Sequence, residues 1–226
     1  MRFIFCYSIS ILIISSLVAC GGGQSHETAE GHDDNYEHEG HKHAEKDAGD
    51  GCVLVYDEDS TKLSWTAYKT IDKVGVSGSF ELFKMGGVKE GKTSAEVFEN
   101  VRFKISSASV NSNNPDRDKK VSEHFFGTMA RTLHITGIVD RIEENHAVVL
   151  IDMNGISRKQ KFDLKTDDAT YCSIMANLNL ENWNAIESVD ALNEVCFDLH
   201  KGADGESKLW SEVKVELSVQ LVKKCP

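Results

Sequence analysis

Near its C-terminal end the chain reads EVKVELSVQLV, in which Val213, Val215, Leu217, Val219 and Leu221 alternate with Glu212, Lys214, Glu216, Ser218 and Gln220. A period of two sends successive side chains to opposite faces of a strand, so this segment must lay one face on an apolar core and keep the other in water. The same alternation recurs upstream. Leu63, Trp65 and Ala67 form one strand; Val74, Val76, Phe80 and Leu82 a second, in which Gly75 and Gly78 suggest a bend or bulge; Val101, Phe103 and Ile105 a third. Leu133 to Val139 and Ala147 to Met153 follow, joined at Glu143-Glu144-Asn145. Asn154-Gly155 is a two-residue hairpin signal that returns the chain as Lys159 to Lys165, and a seventh strand runs near Tyr171 to Leu180. The region from Gly51 to Pro226 is therefore expected to be all-β with two helices, its eight mostly antiparallel strands closing into a barrel wide enough for side chains or one small ligand.

The two helices interrupt this pattern. NPDRDKKVSEHFFGTM, Asn114 to Met129, has a capping Asn, Pro115 at the first helical position, and Asp116 and Asp118 at the positive end of the helix dipole. Val121, Phe125, Phe126 and Met129 make its apolar edge, so it reads as a lid or plug at one end of the sheet. The second helix spans Trp183 to His200, where Trp183, Ile186, Val189, Leu192, Cys196 and Leu199 recur every three or four residues.

Ahead of residue 51 the chain obeys other rules. Residues 1–20 read as a bacterial lipoprotein signal: Arg2, an apolar run from Phe3 to Ser16, then Leu17-Val18-Ala19-Cys20, in which Cys20 is lipidated and anchors the chain to a membrane. Residues 21–50 contain nine acids, two lysines and no branched aliphatic residue, a composition with nothing to bury, and read as a disordered tether. The net charge of −11 argues against a nucleic-acid partner, since phosphates need cations to displace their counterions. His26, His32, His38, His41 and His43 in the tether suit a weak buffer for Zn²⁺, Cu²⁺ or Ni²⁺, the blander alternative being a solvated spacer.

The order LSWTAYK, GVSGSFE, SVNSNNPDRDKKVSEHFF, MNGISRKQKFDLK, late helix and alternating last strand resembles the YceI-like, lipocalin-like polyisoprenoid-binding family over about Thr61 to Leu221. Ser109-Val110, Arg117-Asp118 and Phe125-Phe126 carry the most specific part of the likeness. The resemblance implies an eight-stranded antiparallel lipocalin-like barrel whose tunnel holds a long isoprenoid or fatty chain, in a protein of the bacterial cell envelope, periplasmic or surface-facing. By alternation the tunnel wall would include Trp65, Phe80, Phe103, Ile135, Met153, Phe162 and Met175, with Phe125, Phe126 and Met129 from the lid; the alternative is that these residues simply fill the barrel core. Arg117 and Asp118 are expected to pin the lid helix to the rim, direct ligand contact being the other reading.

The leading expectation is thus a tethered binding protein for an isoprenoid, quinone or similar lipid. A metal-handling protein working through the tether and a structural envelope protein are the alternatives. No catalytic constellation is present: Gly75-Val76-Ser77-Gly78-Ser79 lacks the spacing of a nucleophile elbow, His38-Glu39-Gly40-His41 is one residue short of a zinc-protease motif, and no phosphate-binding Gly motif occurs. Cys52, Cys172, Cys196 and Cys225 remain for disulfides in an exported chain, with three pairings open. Cys52–Cys225 with Cys172–Cys196 is the expected pair, because the first and last strands of a closed barrel are neighbours. The pairing Cys52–Cys225 has the wrong parity for strands whose inward residues include Leu63 and Val213, a slip that a bulge or the irregular stretch from Tyr56 to Ser60 could absorb; free thiols or metal ligands are the alternative to the second bridge.

Overall fold

In a computed structural model of the chain, residues 47–49, 51–131 and 133–226 are described. The expectations for the signal segment, for lipidation of Cys20 and for metal at His26, His32, His38, His41 and His43 fall outside the described residues.

Ten strands form one antiparallel sheet: β1 (Val53–Lys69), β2 (Val74–Phe80), β3 (Phe83–Gly86), β4 (Arg102–Ser106), β5 (Val110–Asn111), β6 (His134–Glu143), β7 (His146–Met153), β8 (Ile156–Asp168), β9 (Tyr171–Asn179) and β10 (Leu209–Lys224). Their spatial order is β3-β4-β6-β7-β8-β9-β10-β1-β2-β5. The expected count of eight is corrected to ten, and the reason is local. β2 and β3 are successive parts of one run, as are β4 and β5, and both runs break at the same level. Phe80 pairs with Val110 and Phe83 with Ile105, so the second run has two extra residues, taken up by a 3-10 turn at Ser107–Ser109. Glu81 N–H donates to Ser109 O (3.0 Å) and Ser106 N–H to Leu82 O (2.8 Å) across the break, which brings the two ends of the sheet order together as a barrel.

The Asn154-Gly155 hairpin is as its sequence requires: both residues have positive φ (53° and 74°), the conformation of a type I′ turn. Gly75 and Gly78 make no bulge, since β1 and β2 pair without a shift from Ser64–Ser79 to Lys69–Val74. Among the described residues four short α-helices accompany the sheet: α1 (Ser94–Phe98), α2 (Pro115–Lys120), α3 (Ile186–Val195) and α4 (Phe197–His200). α1, unforeseen from the sequence, is capped by the Thr93 side chain, which accepts from Glu96 N–H. The late helix is not continuous. A 3-10 turn at Leu180–Trp183 ends on Asn184 in the left-handed region, and Cys196 separates α3 from α4.

Apolar side chains gather into two clusters. One, at the lid end, joins Phe125, Phe126, Met129, Trp183, Val189 and Leu192 to the inner faces of β7 and β9. The other, at the opposite end, joins Leu54, Val97, Phe98, Val101, Val219 and Leu221 around Cys52.

At that second end Cys52 is disulfide-bonded to Cys225. The parity conflict is resolved between Asp57 and Lys62, where β1 advances five positions while β10 advances two, from Gln220 to Ser218. The surplus stands out as a turn in which Asp59 N–H and the Thr61 hydroxyl both donate to Asp57. Below it Leu54 and Tyr56 pack into the lower cluster; above it Leu63, Trp65 and Ala67 line the interior.

The expected Cys172–Cys196 bridge does not form, and both are buried thiols. Cys172 sits in the lower cluster at the start of β9, whereas Cys196 belongs to the lid-end cluster beyond the other end of that strand. A nine-residue strand spans about 30 Å, far more than the 4.4–6.8 Å between Cα atoms that a disulfide allows.

Thiol titration of oxidised, denatured protein spanning residues 51–226 should therefore find two thiols, not none. Cys52→Ser should lower the unfolding free energy by about 3–5 kcal/mol in urea titrations, because the bridge closes a loop with a sequence separation of 173.

Candidate functional site

Asn114 Oδ1 accepts from Arg117 N–H (3.0 Å) and starts α2, which passes into a π turn at Val121–Phe125 and a 3-10 turn at Phe126–Thr128. This irregular segment is the lid. Its two consecutive phenylalanines are both buried and meet edge to face, centroids 4.9 Å apart, with Phe80 completing the group at 6.1 Å from Phe126.

Arg117 and Asp118 hold the lid to the wall through one buried residue, Ser112. Arg117 donates from Nε to Ser112 Oγ and from Nη2 to Ser112 O (both 2.7 Å), while Asp118 accepts from the Ser112 N–H (2.8 Å) and hydroxyl. At the other end of the lid Thr128 Oγ1 meets Ser188 Oγ on α3 (2.8 Å), and Ala130 N–H donates to Asn154 Oδ1 (2.7 Å). Asn154 Nδ2 donates in turn to Trp183 O and Asn184 O, so the hairpin turn ties the lid to the late helical segment.

Beneath the lid is a cavity of about 130 Å³. A second, of about 110 Å³, lies deeper in the barrel. Phe80, Ile135, Met153, Leu178 and Val215 line both, so the two cavities are neighbours, and neither wall carries an ionisable or hydroxyl side chain; Trp65 and Trp210 bring indole N–H groups to the upper one. Together they form an apolar bore.

Of the residues expected on the wall, Trp65, Phe80, Phe125, Phe126, Ile135 and Met153 line the upper cavity, and Phe80, Phe103, Ile135, Met153 and Phe162 the deeper one. Met129 is buried in the lid cluster behind the wall. Met175 is a correction. It pairs with Glu216 on one side and Asp163 on the other, on the outer face, and Ile174 and Leu178 point inward in its place. The alternation of β9 points the same way, with Cys172, Ile174, Ala176 and Leu178 on one parity and Ser173, Asn177 and Asn179 sharing the other with Met175. Leu178, Leu192, Leu209 and Trp210 were missed; the alternation of β9 and β10 could have found the first and third.

Trp65 owes its position to its cross-strand partner Gly78. A Cβ on Gly78 would lie 2.4 Å from the indole ring and 2.6 Å from Asn111 O, so only glycine lets the ring lie flat across β2. The indole N–H donates to Ser79 O (3.2 Å).

The bore leads into a third cavity, about 360 Å³, between α2, α3, α4 and the end of β1. It shares Trp65, Ala67, Val121, Leu192 and Leu209 with the upper bore and adds Lys69, Asp116, Arg117, Lys120 and His200. This is a polar mouth. His200 is buried, its Nδ1 2.9 Å from Asn193 Oδ1, and burial first, then Lys69 and Lys120, push its pKa down to about 4.

A YceI-like domain is matched over residues 54–221. The chain belongs to the YceI-like family. Among solved structures, this YceI-like chain is similar to a polyisoprenoid binding domain from Saccharophagus degradans implicated in plant cell wall breakdown, at 14% identity and a TM-score of 0.51, over 78% of this chain and 99% of that one. It is also similar to BcnA of Burkholderia cenocepacia, at 13% identity and a TM-score of 0.50, over 74% of this chain and 99% of that one. At these identities the likeness is one of fold. No curated protein matches the chain in sequence.

In the unfolded YceI-like chain His200 takes up its proton near pH 6.5, and in the folded one only near 4. Between these values the unfolded state binds the extra proton, so His200 makes stability fall as pH drops through this window. Thermal melts from pH 7 to 4.5 should show a smaller loss of Tm in His200→Phe than in the wild type; an identical loss would mean that His200 does not titrate in this way.

Proposed function

We propose that this YceI-like chain is a carrier or sequestering protein for an isoprenoid, quinone or similar long apolar lipid, held in the bore beneath the lid. One observation carries the reading. On β10, Val213, Val215 and Leu217 face the interior yet are only half-buried, while Val219 and Leu221, on the same face of the same strand, are 3% and 2% exposed. Residues that merely filled a core would be buried all along the strand. The surface that Val213, Val215 and Leu217 keep is turned to the bore, whose wall has no polar side chain suited to a hydrophilic guest. An apolar chain suits it, at about 0.8 kcal/mol for each CH₂ taken from water.

We further read the chain as a lipid-anchored protein of the bacterial cell envelope. The Leu17 to Cys20 motif supports this, as does the Cys52–Cys225 disulfide, a bond that persists in oxidising compartments. Among the described residues no helix is long and apolar enough to cross a membrane. The anchor this motif implies is the set of acyl chains on Cys20.

Native mass spectrometry followed by organic extraction should yield a long-chain apolar molecule from the purified protein. Val215 lines both cavities, and Val215→Trp should lower uptake of added geranylgeraniol at least tenfold while the far-UV circular dichroism is retained. Undiminished uptake in a folded Val215→Trp protein would place the ligand elsewhere.

A further inference from the structure

We infer that His200 makes the mouth a receptor for a hydroxyl group, so that the lipid favoured by this chain ends in an alcohol or phenol whose O–H donates to His200 Nε2. The inference rests on the bore being the lipid site and names the chemistry of the head that the bore would leave at the mouth.

The argument begins with Asn193. Its Nδ2 donates to Ser207 O (3.4 Å) and its Oδ1 accepts from the Ser207 hydroxyl (3.1 Å). This orients the amide, because the Ser207 carbonyl needs a donor. Oδ1 is therefore the atom 2.9 Å from His200 Nδ1, and an amide oxygen can only accept. Nδ1 carries the ring proton. In the neutral ring Nε2 is then a lone pair, and among the described residues it has no partner. Nor is it sealed away: among the described residues the buried side-chain nitrogens and oxygens lacking a partner are the Tyr56 and Thr70 hydroxyls, and His200 lines the mouth cavity.

The surrounding cations reinforce this. Lys69 Nζ donates to Leu199 O (2.8 Å), Arg117 donates to Ser112 through Nε and Nη2, and Lys120 and Asp116 stand in the same wall. Burial first, then the charges of Lys69 and Lys120, resist protonation of the ring. An ether, an ester or a quinone carbonyl brings only lone pairs to Nε2. A hydroxyl brings the donor that is missing.

Three probes with one chain separate the possibilities: geranylgeraniol, its methyl ether and its phosphate, each titrated into the purified full-length protein while the fluorescence of Trp65 and Trp210, which line the upper bore, is followed. The alcohol should bind about tenfold tighter than the ether, the difference of one buried hydrogen bond, and the phosphate no tighter than the alcohol. In His200→Phe the ratio of alcohol to ether should fall to about one. Should that variant not fold, Asn193→Leu, which releases the ring to present either nitrogen, should narrow the ratio likewise. Equal binding of alcohol and ether by the wild type, or tighter binding of the phosphate, would overturn the hydroxyl assignment and leave the bore intact. Binding of none of the three would overturn the bore itself.

Discussion

The pairing of β1 with β10 is the contact on which the rest depends. It joins the first strand of the barrel to the last, runs from Val53–Lys224 at one end to Lys69–Leu209 at the other, and is fastened at its foot by Cys52–Cys225. It seals one seam of the wall, the other being the break where Glu81 N–H donates to Ser109 O and Ser106 N–H to Leu82 O. Because the ladder is so long, it serves both ends of the barrel. Its lower part holds the cluster around Leu54 and Leu221 that stops the barrel, and its upper part carries Trp65, Val213 and Val215 along the bore.

The interior is consequently graded. Side chains are close-packed near the disulfide, loosen through the middle of the barrel, and close again at Phe125 and Phe126 beneath the lid. A barrel of this width has room that its own residues do not fill, and the lid keeps that room dry without packing it shut. The lid itself stays in place through polar ties to Ser112, Ser188 and Asn154 at its margins, so its apolar edge is left to face the bore.

Much of this was legible in the sequence where a local rule acts alone. The Asn114 cap, the Asn154-Gly155 turn and the alternation of β10 each depend on a few neighbouring residues, and each is found where the rule puts it. Cys52–Cys225 was legible through topology, and so was the need for a slip near Tyr56 to Ser60. What escaped depends on contacts between distant segments. The break between β2 and β3 answers a turn at Ser107–Ser109 in another strand, and Gly78 is a seat for Trp65 and not a bend. His200 gave no local signal in the sequence, because Asn193 and Ser207, which give it a fixed tautomer, take their places only when α3 and the loop before β10 fold together.

The irregular stretch between Asp57 and Lys62 bears on how such a barrel can vary. Side chains on a strand have only two directions, so the stretch works as a phase shifter between two halves of one strand, letting an even-numbered inward set below meet an odd-numbered one above. Its exposed residues are chemically unconstrained, yet its length is not. Gaining or losing two residues there would leave both halves facing as they do, whereas one residue either way would turn Trp65 out of the bore or swing Cys52 away from Cys225. Insertions in this family member should thus be read by their parity before their composition.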